Sequence, residues 1–258
     1  MRIPGPGLGN RESKMNAMTI KQASSAASPR WLARKAGICQ ALEGATATYG
    51  EVTVLDKLVV AGGASATAAN LLGHQKLFWL GFAASLLGVF FHLAWALLMY
   101  DLLKPVNRRV SLFAVFVMLV GCGVQALTAV LYLAPMLVLN AGSSLSALTA
   151  EQLQALAYVF VRLNGYAFNT YLVFFGLWCA LTGWLIFRST FMPRVLGVLL
   201  MISGVGWMFY LVPPVAIRLF IPYLAGASAI GEIPLLLWLL VFGVNDQRWR
   251  EQAGVALE

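Results

Sequence analysis

The sequence predicts an all-α integral membrane protein, a six-helix transmembrane bundle, and three observations support that prediction. Apolar residues make up 60% of the 258-residue chain and charged residues only 11%, whereas soluble proteins average about 45–50% and about 25%. Several apolar stretches exceed the ~20 residues that a helix needs to cross the hydrocarbon core of a bilayer. The charged residues lie at the ends of those stretches, where they set orientation and meet lipid headgroups.

The chain divides into three predicted regions. Residues 1–30 are rich in Gly, Pro, Ser and Ala and carry several Lys and Arg residues, without the apolar core of a signal peptide. This composition predicts a disordered basic N-terminal arm. Residues 31–250 form the six-span transmembrane domain, and residues 251–258 form a short cytoplasmic tail.

The first predicted span, residues 36–56, is the least apolar because it carries Glu43 and Glu51. An acidic residue at mid-span costs about 2.5–3.5 kcal/mol on insertion scales. The distribution of the 18 Lys and Arg residues nevertheless favours a crossing here, because it then places most of them on one side. Cytoplasmic loops carry the excess of Lys and Arg. We therefore expect the protein in the bacterial inner (plasma) membrane with both termini cytoplasmic.

The next segments alternate loops with two strongly apolar spans. Residues 64–75 predict a short helix or loop on the outer face, and residues 77–100 predict a span interrupted only by His92. His92 follows Gly81, Ser85 and Gly88 at spacings of three and four, which places it on the face that packs against other helices. Residues 110–139 predict the third span. On its polar face, Gln125 stands among small and polar residues.

The fourth span is the longest, and Thr149 with Gln152 predicts a capping box at its start. The stretch between Arg162 and Arg188 holds no charged residue, and as a helix it would rise ~38 Å. Small and polar residues recur on one face at spacings of three, four and seven, which favours close packing against other helices. That face consists of Arg162, Gly165, Asn169, Gly176, Cys179 and Gly183.

The last two spans are predicted at residues 195–217 and 223–244. Three glycines, at positions 197, 204 and 206, supply packing points in the fifth span, and Pro213 and Pro214 stand near its exit. The sixth span holds Glu232 two residues before Pro234. A proline inside a helix frees backbone carbonyls, which allows a hinge or coordination near that glutamate.

Four stretches resemble a widespread bacterial family of multi-pass membrane proteins that is catalogued only as a domain of unknown function. They are ATAANLL (66–72), LLKPVNRRVSLFA (102–114), the run LVFFGLWCALTGWLIFRSTFMPRVLGVLLMISG (172–204) and FGVN (242–245). The similarity spans roughly residues 35–246, and KPVN with the glycine-rich fourth and fifth spans weighs most. The resemblance implies a six-span topology and supplies no activity or site residues.

Polar residues inside a bilayer are costly, usually face the bundle interior, and mark functional sites by default. Six are candidates for ligand binding: Glu232, His92, Gln125, Asn169, Glu43 and Arg162. Each also has a structural interpretation. Glu232 is either a proton or ligand site or a carboxyl hydrogen-bonded to a neighbouring helix. His92 either relays protons, binds a metal or stabilises an anion, or, as is more common for such a histidine, it forms a satisfied interhelical hydrogen bond.

The remaining candidates keep similar alternatives. Gln125 and Asn169 are of the type that forms interhelical hydrogen bonds. Glu43 is either a counter-charge inside the bundle or a residue at the outer edge of a span. Arg162 is either an interfacial anchor, since long cationic side chains reach for the headgroups, or a ligand for an anion from the outer side.

The sequence predicts no cofactor and no metal site. His74 and His92 lie ~27 Å apart along one continuous helix, and the three cysteines have no ligand spacing. No HExxH, GxSxG or phosphate-binding glycine loop is present, and catalytic residues stay unassigned. The expected partners are the lipid bilayer, a small lipophilic ligand and a second copy of the chain, but no nucleic acid.

Three functions remain open at this point. The first is binding or transport of a small or lipophilic ligand within the bundle, near Glu232, His92, Gln125 and Asn169, where polar faces of several helices would converge. The second is a non-transporting scaffold or sensor component, in which these residues only fix the helix register. The third is a membrane enzyme that acts on a lipid-like substrate.

Overall fold

The protein is described by a computed structural model over residues 28–219 and 225–255, and within these ranges it contains helices and no strand. Ten α-helices are labelled in chain order. They are α1 (Pro29–Ala47), α2 (Leu55–Leu58), α3 (Ala64–Gly73), α4 (Gln75–Leu103), α5 (Arg108–Leu139), α6 (Ala150–Arg188), α7 (Arg194–Met208), α8 (Pro213–Leu219), α9 (Ala225–Val241) and α10 (Asp246–Val255). A π-helical segment, Thr48–Val54, joins α1 to α2.

Four helices in the described ranges are long and apolar enough to cross a membrane: α4, α5, α6 and the stretch Arg194–Leu211 that contains α7. A fifth span results if Ala229–Val241 and Asp246–Gly254, which are bent by 101° at their junction, count as one. The fold is therefore an all-α bundle with the helices of a membrane protein. Length and composition therefore identify fewer than the six predicted spans. Helix α1 is not among those identified, since it carries four charged residues: Arg30, Arg34, Lys35 and Glu43.

Six long helices contact one another in a closed ring, in the order α1, α4, α5, α6, α7, α9 and back to α1. Neighbours in the ring run antiparallel. Near the start of α1, the backbone N–H of Arg30 donates to Asp246 Oδ1 at 2.7 Å, and Ser28 Oγ donates to Asp246 Oδ2 at 3.0 Å. The start of α1 and the end of α9 thus lie at the same end of the bundle.

The centre of the ring is filled by aromatic side chains toward that same end. Trp95 of α4 and Trp178 of α6 are 1% exposed, and their rings lie edge to face with centroids 4.6 Å apart. Burial of such large apolar surfaces stabilises the packing of the two helices. The opposite half of the ring is less completely filled, and it holds the cavity described below.

Helix boundaries agree within about three residues for the second, third and fourth predicted spans, whereas the first helical segment begins at Pro29 and not at residue 36, and the predicted start of the sixth span at residue 223 lies outside the described residues. The capping box is confirmed: Gln152 N donates to Thr149 Oγ1 at 3.2 Å, and Thr149 N donates to Gln152 Oε1 at 2.8 Å. The fifth predicted span, residues 195–217, is too long. Its helix ends at Met208, and a new helix starts at Pro213, because proline disfavours a helical residue before it and lacks an N–H.

Turn residues hold the ring at both ends. Asn107 caps α5, since its Oδ1 accepts from Val110 N at 3.1 Å. Gly243 has φ +68°, and a Cβ there would lie 2.9 Å from the Arg30 side chain, so glycine suits this position on two grounds. Asn70 Nδ2 donates to Leu58 O at 3.2 Å, which ties α3 to the end of α2.

Glycine contacts bring α6 and α7 together for half of the predicted small-residue face. A Cβ on Gly176 would lie 2.5 Å from Gly204 O, and one on Gly183 would lie 2.7 Å from Gly197 O. Such backbone approach is possible only where side chains are absent. Gly165 lies at the other end of the same face, and apart from its own helix no described residue has an atom within 4 Å of its Cβ position. The prediction is therefore confirmed for one half of the helix, while the other half borders open space.

Candidate functional site

A cavity of about 690 Å³ lies between the first half of α6 and the segment formed by α1, the π-helix and α2, and it also reaches α7 and α9. Its size falls within the ~300–1,000 Å³ of ligand pockets in proteins. Three glutamates from three segments line it, namely Glu43 from α1, Glu51 from the π-helix and Glu232 from α9. The cavity therefore brings acidic groups together from residues far apart in the sequence.

Glu232 is oriented by helix α7. Its Oε1 accepts hydrogen bonds from Trp207 Nε1 at 2.6 Å and from Ser203 Oγ at 3.0 Å. Its backbone carbonyl accepts from Gln40 Nε2 of α1 at 3.1 Å. These contacts fix the position of the carboxyl between α1, α7 and α9, where it lines the cavity.

His92 contacts Glu43 from behind the cavity wall. The His92 ring is fully buried, and its Nδ1 lies 3.2 Å from Glu43 Oε1 and 3.0 Å from Tyr171 Oη. Glu43 therefore lies inside the bundle and not at the outer edge of a span. His92 does not line the cavity itself, but its two partners, Glu43 and Tyr171, both do.

Glu51 is a cavity residue that the sequence did not single out. It is 8% exposed, and its Oε1 accepts a hydrogen bond from Ser85 Oγ of α4. Glu51 follows Glu43 by eight residues, and a regular α-helix would leave the two side chains about 80° apart around its axis. The π-helix that begins at Thr48 and includes Glu51 has wider turns, with i→i+5 hydrogen bonds, and this brings Glu51 closer to the face of Glu43.

Asn164 is the second residue that sequence reasoning missed. It lines the cavity, is 1% exposed, and donates from Nδ2 to Thr128 O of α5 at 3.0 Å. Its Oδ1 has no hydrogen-bond partner in the described part of the chain. One feature in the sequence could have indicated it, since Asn164 lies next to Gly165, a member of the predicted small-residue face.

The other predicted site residues separate into two groups. Asn169 and Arg162 line the cavity, and the exposed Arg162 side chain lies over the ring of Tyr166 with its Cζ 5.6 Å from the ring centre. Gln125 lies outside the cavity. It is 1% exposed, and its side-chain nitrogen and oxygen find no partner among the described residues, so the predicted interhelical hydrogen bond is not observed there.

The charges around the cavity are unbalanced. Among the described residues, four carboxyl side chains line it, those of Glu43, Glu51, Asp56 and Glu232, against the one guanidinium of Arg162. Within the described ranges, no three His, Cys, Asp or Glu side chains stand close enough together to hold a metal ion. The arrangement can thus accept hydrogen bonds and stabilise positive charge, and it offers no assembled metal centre.

Comparison with known proteins places the bundle in a family without assigning it a reaction. No curated protein and no solved structure matches the chain. The cavity glutamates at positions 43, 51 and 232 all fall within the part of the chain that a family model covers. That model, described as a domain of unknown function (DUF4386), matches residues 36–243, which confirms the resemblance drawn from the sequence: the chain belongs to this family.

Proposed function

We propose that the protein binds a small or lipophilic ligand inside its helix bundle and that this binding serves transport. The observation that carries the proposal is the convergence of Glu43, Glu51 and Glu232 on one cavity of about 690 Å³. Ionisable groups within a membrane bundle mark substrate and ion pathways. Their placement at the contact of four helices also resembles the midplane sites of transporters.

We further propose a six-span topology in a bacterial inner membrane with both termini cytoplasmic. The support is that α1 and α9 complete the ring of long helices. Acidic residues of the first segment face inward: Glu43 meets His92 and Glu51 meets Ser85. An inward position offsets the insertion penalty that made this segment a poor span by composition.

A scaffold or sensor role is the alternative, and one observation favours it. Glu232 Oε1 already accepts two hydrogen bonds from α7, which is the behaviour of a residue that fixes helix register. Under this alternative the cavity would hold only bilayer lipid. An enzyme acting on a lipid-like substrate has no comparable support among the described residues.

Native mass spectrometry of the gently solubilised protein separates these functions. The parent protein is measured beside Glu232→Gln, with Gln125→Met as a control that alters a buried polar residue outside the cavity. A defined molecule retained by the parent and the control but lost from Glu232→Gln would support the binding site. Only bulk phospholipid in all three proteins, with their folds intact, would contradict it. The same spectra give the oligomeric state, and we propose a homo-oligomer.

A further inference from the structure

We propose that the ligand is an amphipathic organic cation, a protonated amine carrying an aromatic or aliphatic body. This inference rests on the proposed binding function and names its substrate class. One cavity combines three features that support this proposal: carboxyl groups that line it, the buried oxygen of Asn164, which has no hydrogen-bond partner among the described residues, and aromatic side chains in its walls. Each of the three features selects a different part of such a molecule.

The carboxyl groups of Glu51 and Glu232 favour a positively charged ligand. The side-chain hydrogen bonds to the Glu51 and Glu232 carboxyls come from neutral donors, namely Ser85, Asn164, Ser203 and Trp207. Neutral donors orient a carboxylate but leave its charge uncancelled, and a buried ion without a counter-ion is strongly disfavoured. In the described part of the chain, no Lys or Arg forms an ion pair with either glutamate. A cationic ligand would supply the missing counter-charge.

The buried amide selects a ligand that carries a hydrogen-bond donor. Asn164 Oδ1 lacks a partner within the described ranges although the residue is 1% exposed, and buried polar groups in proteins are nearly always hydrogen-bonded. The Asn164 side chain also interacts with the Glu51 carboxyl, so the two acceptors are neighbours. An ammonium group with several N–H bonds would satisfy both at once.

The aromatic walls of the cavity favour a ligand with an apolar part. Tyr158, Tyr171, Phe175, Trp207 and Tyr210 line the same cavity as the carboxyls. Aromatic faces attract cations and bury apolar groups. An anion would meet four carboxyl groups, and a plain acyl chain would leave Asn164 unsatisfied. The combination of features therefore favours the organic cation over both.

Three compounds that share a phenylbutyl group and differ in their charge test this inference. They are 4-phenylbutylammonium, 4-phenylbutanol and 4-phenylbutyrate, added to the purified full-length protein in detergent at pH 7, where an alkyl ammonium is protonated. Calorimetric titration, corrected against empty micelles, measures each affinity. We expect the ammonium to bind about ten- to a hundredfold more tightly than the alcohol, the range expected for a charge-assisted hydrogen bond, and the carboxylate to show no binding.

Two variants test whether the preference for the ammonium compound comes from the carboxyl groups of the cavity. Glu51→Gln keeps an acceptor for Ser85 but removes the charge, and it should lower ammonium affinity about tenfold or more while alcohol affinity stays unchanged. Glu151→Gln removes the same charge from the exposed first turn of α6, outside the cavity, and should change neither affinity. If Glu51→Gln does not fold, Glu232→Gln gives the same comparison.

The outcomes separate this inference from the proposed function. Equal affinities for the ammonium and the alcohol, or tighter binding of the carboxylate, would overturn the cationic ligand and leave a ligand site in place. Binding of the ammonium that survives Glu51→Gln and Glu232→Gln alike would also overturn it. Absence of binding by all three probes would reject the inference, and the native mass spectra would then decide whether the binding function fails with it.

Discussion

Replacement of Gly204 by alanine should separate α6 from α7. A Cβ at Gly204 would lie 2.5 Å from Gly176 O and 2.8 Å from Ala180 N. Both neighbours are backbone atoms, so no side-chain rotation can relieve the contact. To reach the 3.4 Å of an ordinary contact, the two helices must move apart by about 0.9 Å. That movement would also loosen the paired contact between Gly183 and Gly197 on the same face.

The size of the effect follows from two opposed contributions. Overpacking of a well-packed contact costs about 1–3 kcal/mol, whereas alanine stabilises a helix by about 1 kcal/mol relative to glycine. Because the clash involves backbone on both sides, we expect Gly204→Ala to lower the free energy of unfolding by about 1–2 kcal/mol. Gly123→Ala is the matched control, since no atom lies within 4 Å of its Cβ position, and it should raise stability by up to about 1 kcal/mol.

Unfolding of both variants in mixed micelles, by titration with a denaturing detergent, measures these free energies directly. The parent protein should lie between the two variants. Equal stability of Gly204→Ala and Gly123→Ala would refute the close backbone contact between α6 and α7. The helix packing that leaves the cavity open beside Gly165 would then need revision.

Three further predictions concern buried polar groups and a helix cap. His92→Leu should cost about 3–5 kcal/mol, because it leaves Glu43 buried without its partner, and Glu43→Gln in the same chain should restore more than half of the loss; strictly additive effects would exclude the pairing. Gln125→Met should raise the free energy of unfolding by about 1 kcal/mol, since it removes two buried polar atoms that have no partner among the described residues. A clear decrease in this free energy would instead show that Gln125 forms a hydrogen bond in the folded protein. Thr149→Ala should lower it by about 1 kcal/mol through loss of the capping box, whereas an unchanged value would show that this helix start is frayed.

Helices and their buried faces were predictable from the sequence because periodicity determines which residues share a face. Gly81, Ser85 and His92 follow α-helical spacing, and α4 has the regular geometry that this spacing assumes. The capping box at Thr149 was predictable for a similar reason, since it depends on residues three positions apart. Local rules were sufficient for these features because each depends only on residues within one regular helix.

Local rules failed where the geometry changed or where tertiary packing decided the outcome. The π-helix changes the direction of the Glu51 side chain relative to Glu43, and a period of 3.6 residues does not include that change. Gln125 lies on a buried face as predicted, but its partners depend on which helix packs opposite, and the described residues supply none. Gly165 and Gly183 share one face, yet only Gly183 meets α7. The cavity arises from that difference.

The most direct test of the central claim is an experimental density map of the protein purified from its own membrane in native lipids. We expect compact non-protein density between Glu43, Glu51 and Glu232, within reach of Asn164. Density that is lost in Glu232→Gln while the helices keep their positions would establish a ligand site. A cavity closed by inward movement of α6, or filled by acyl chains continuous with the bilayer, would contradict the account and favour a scaffold.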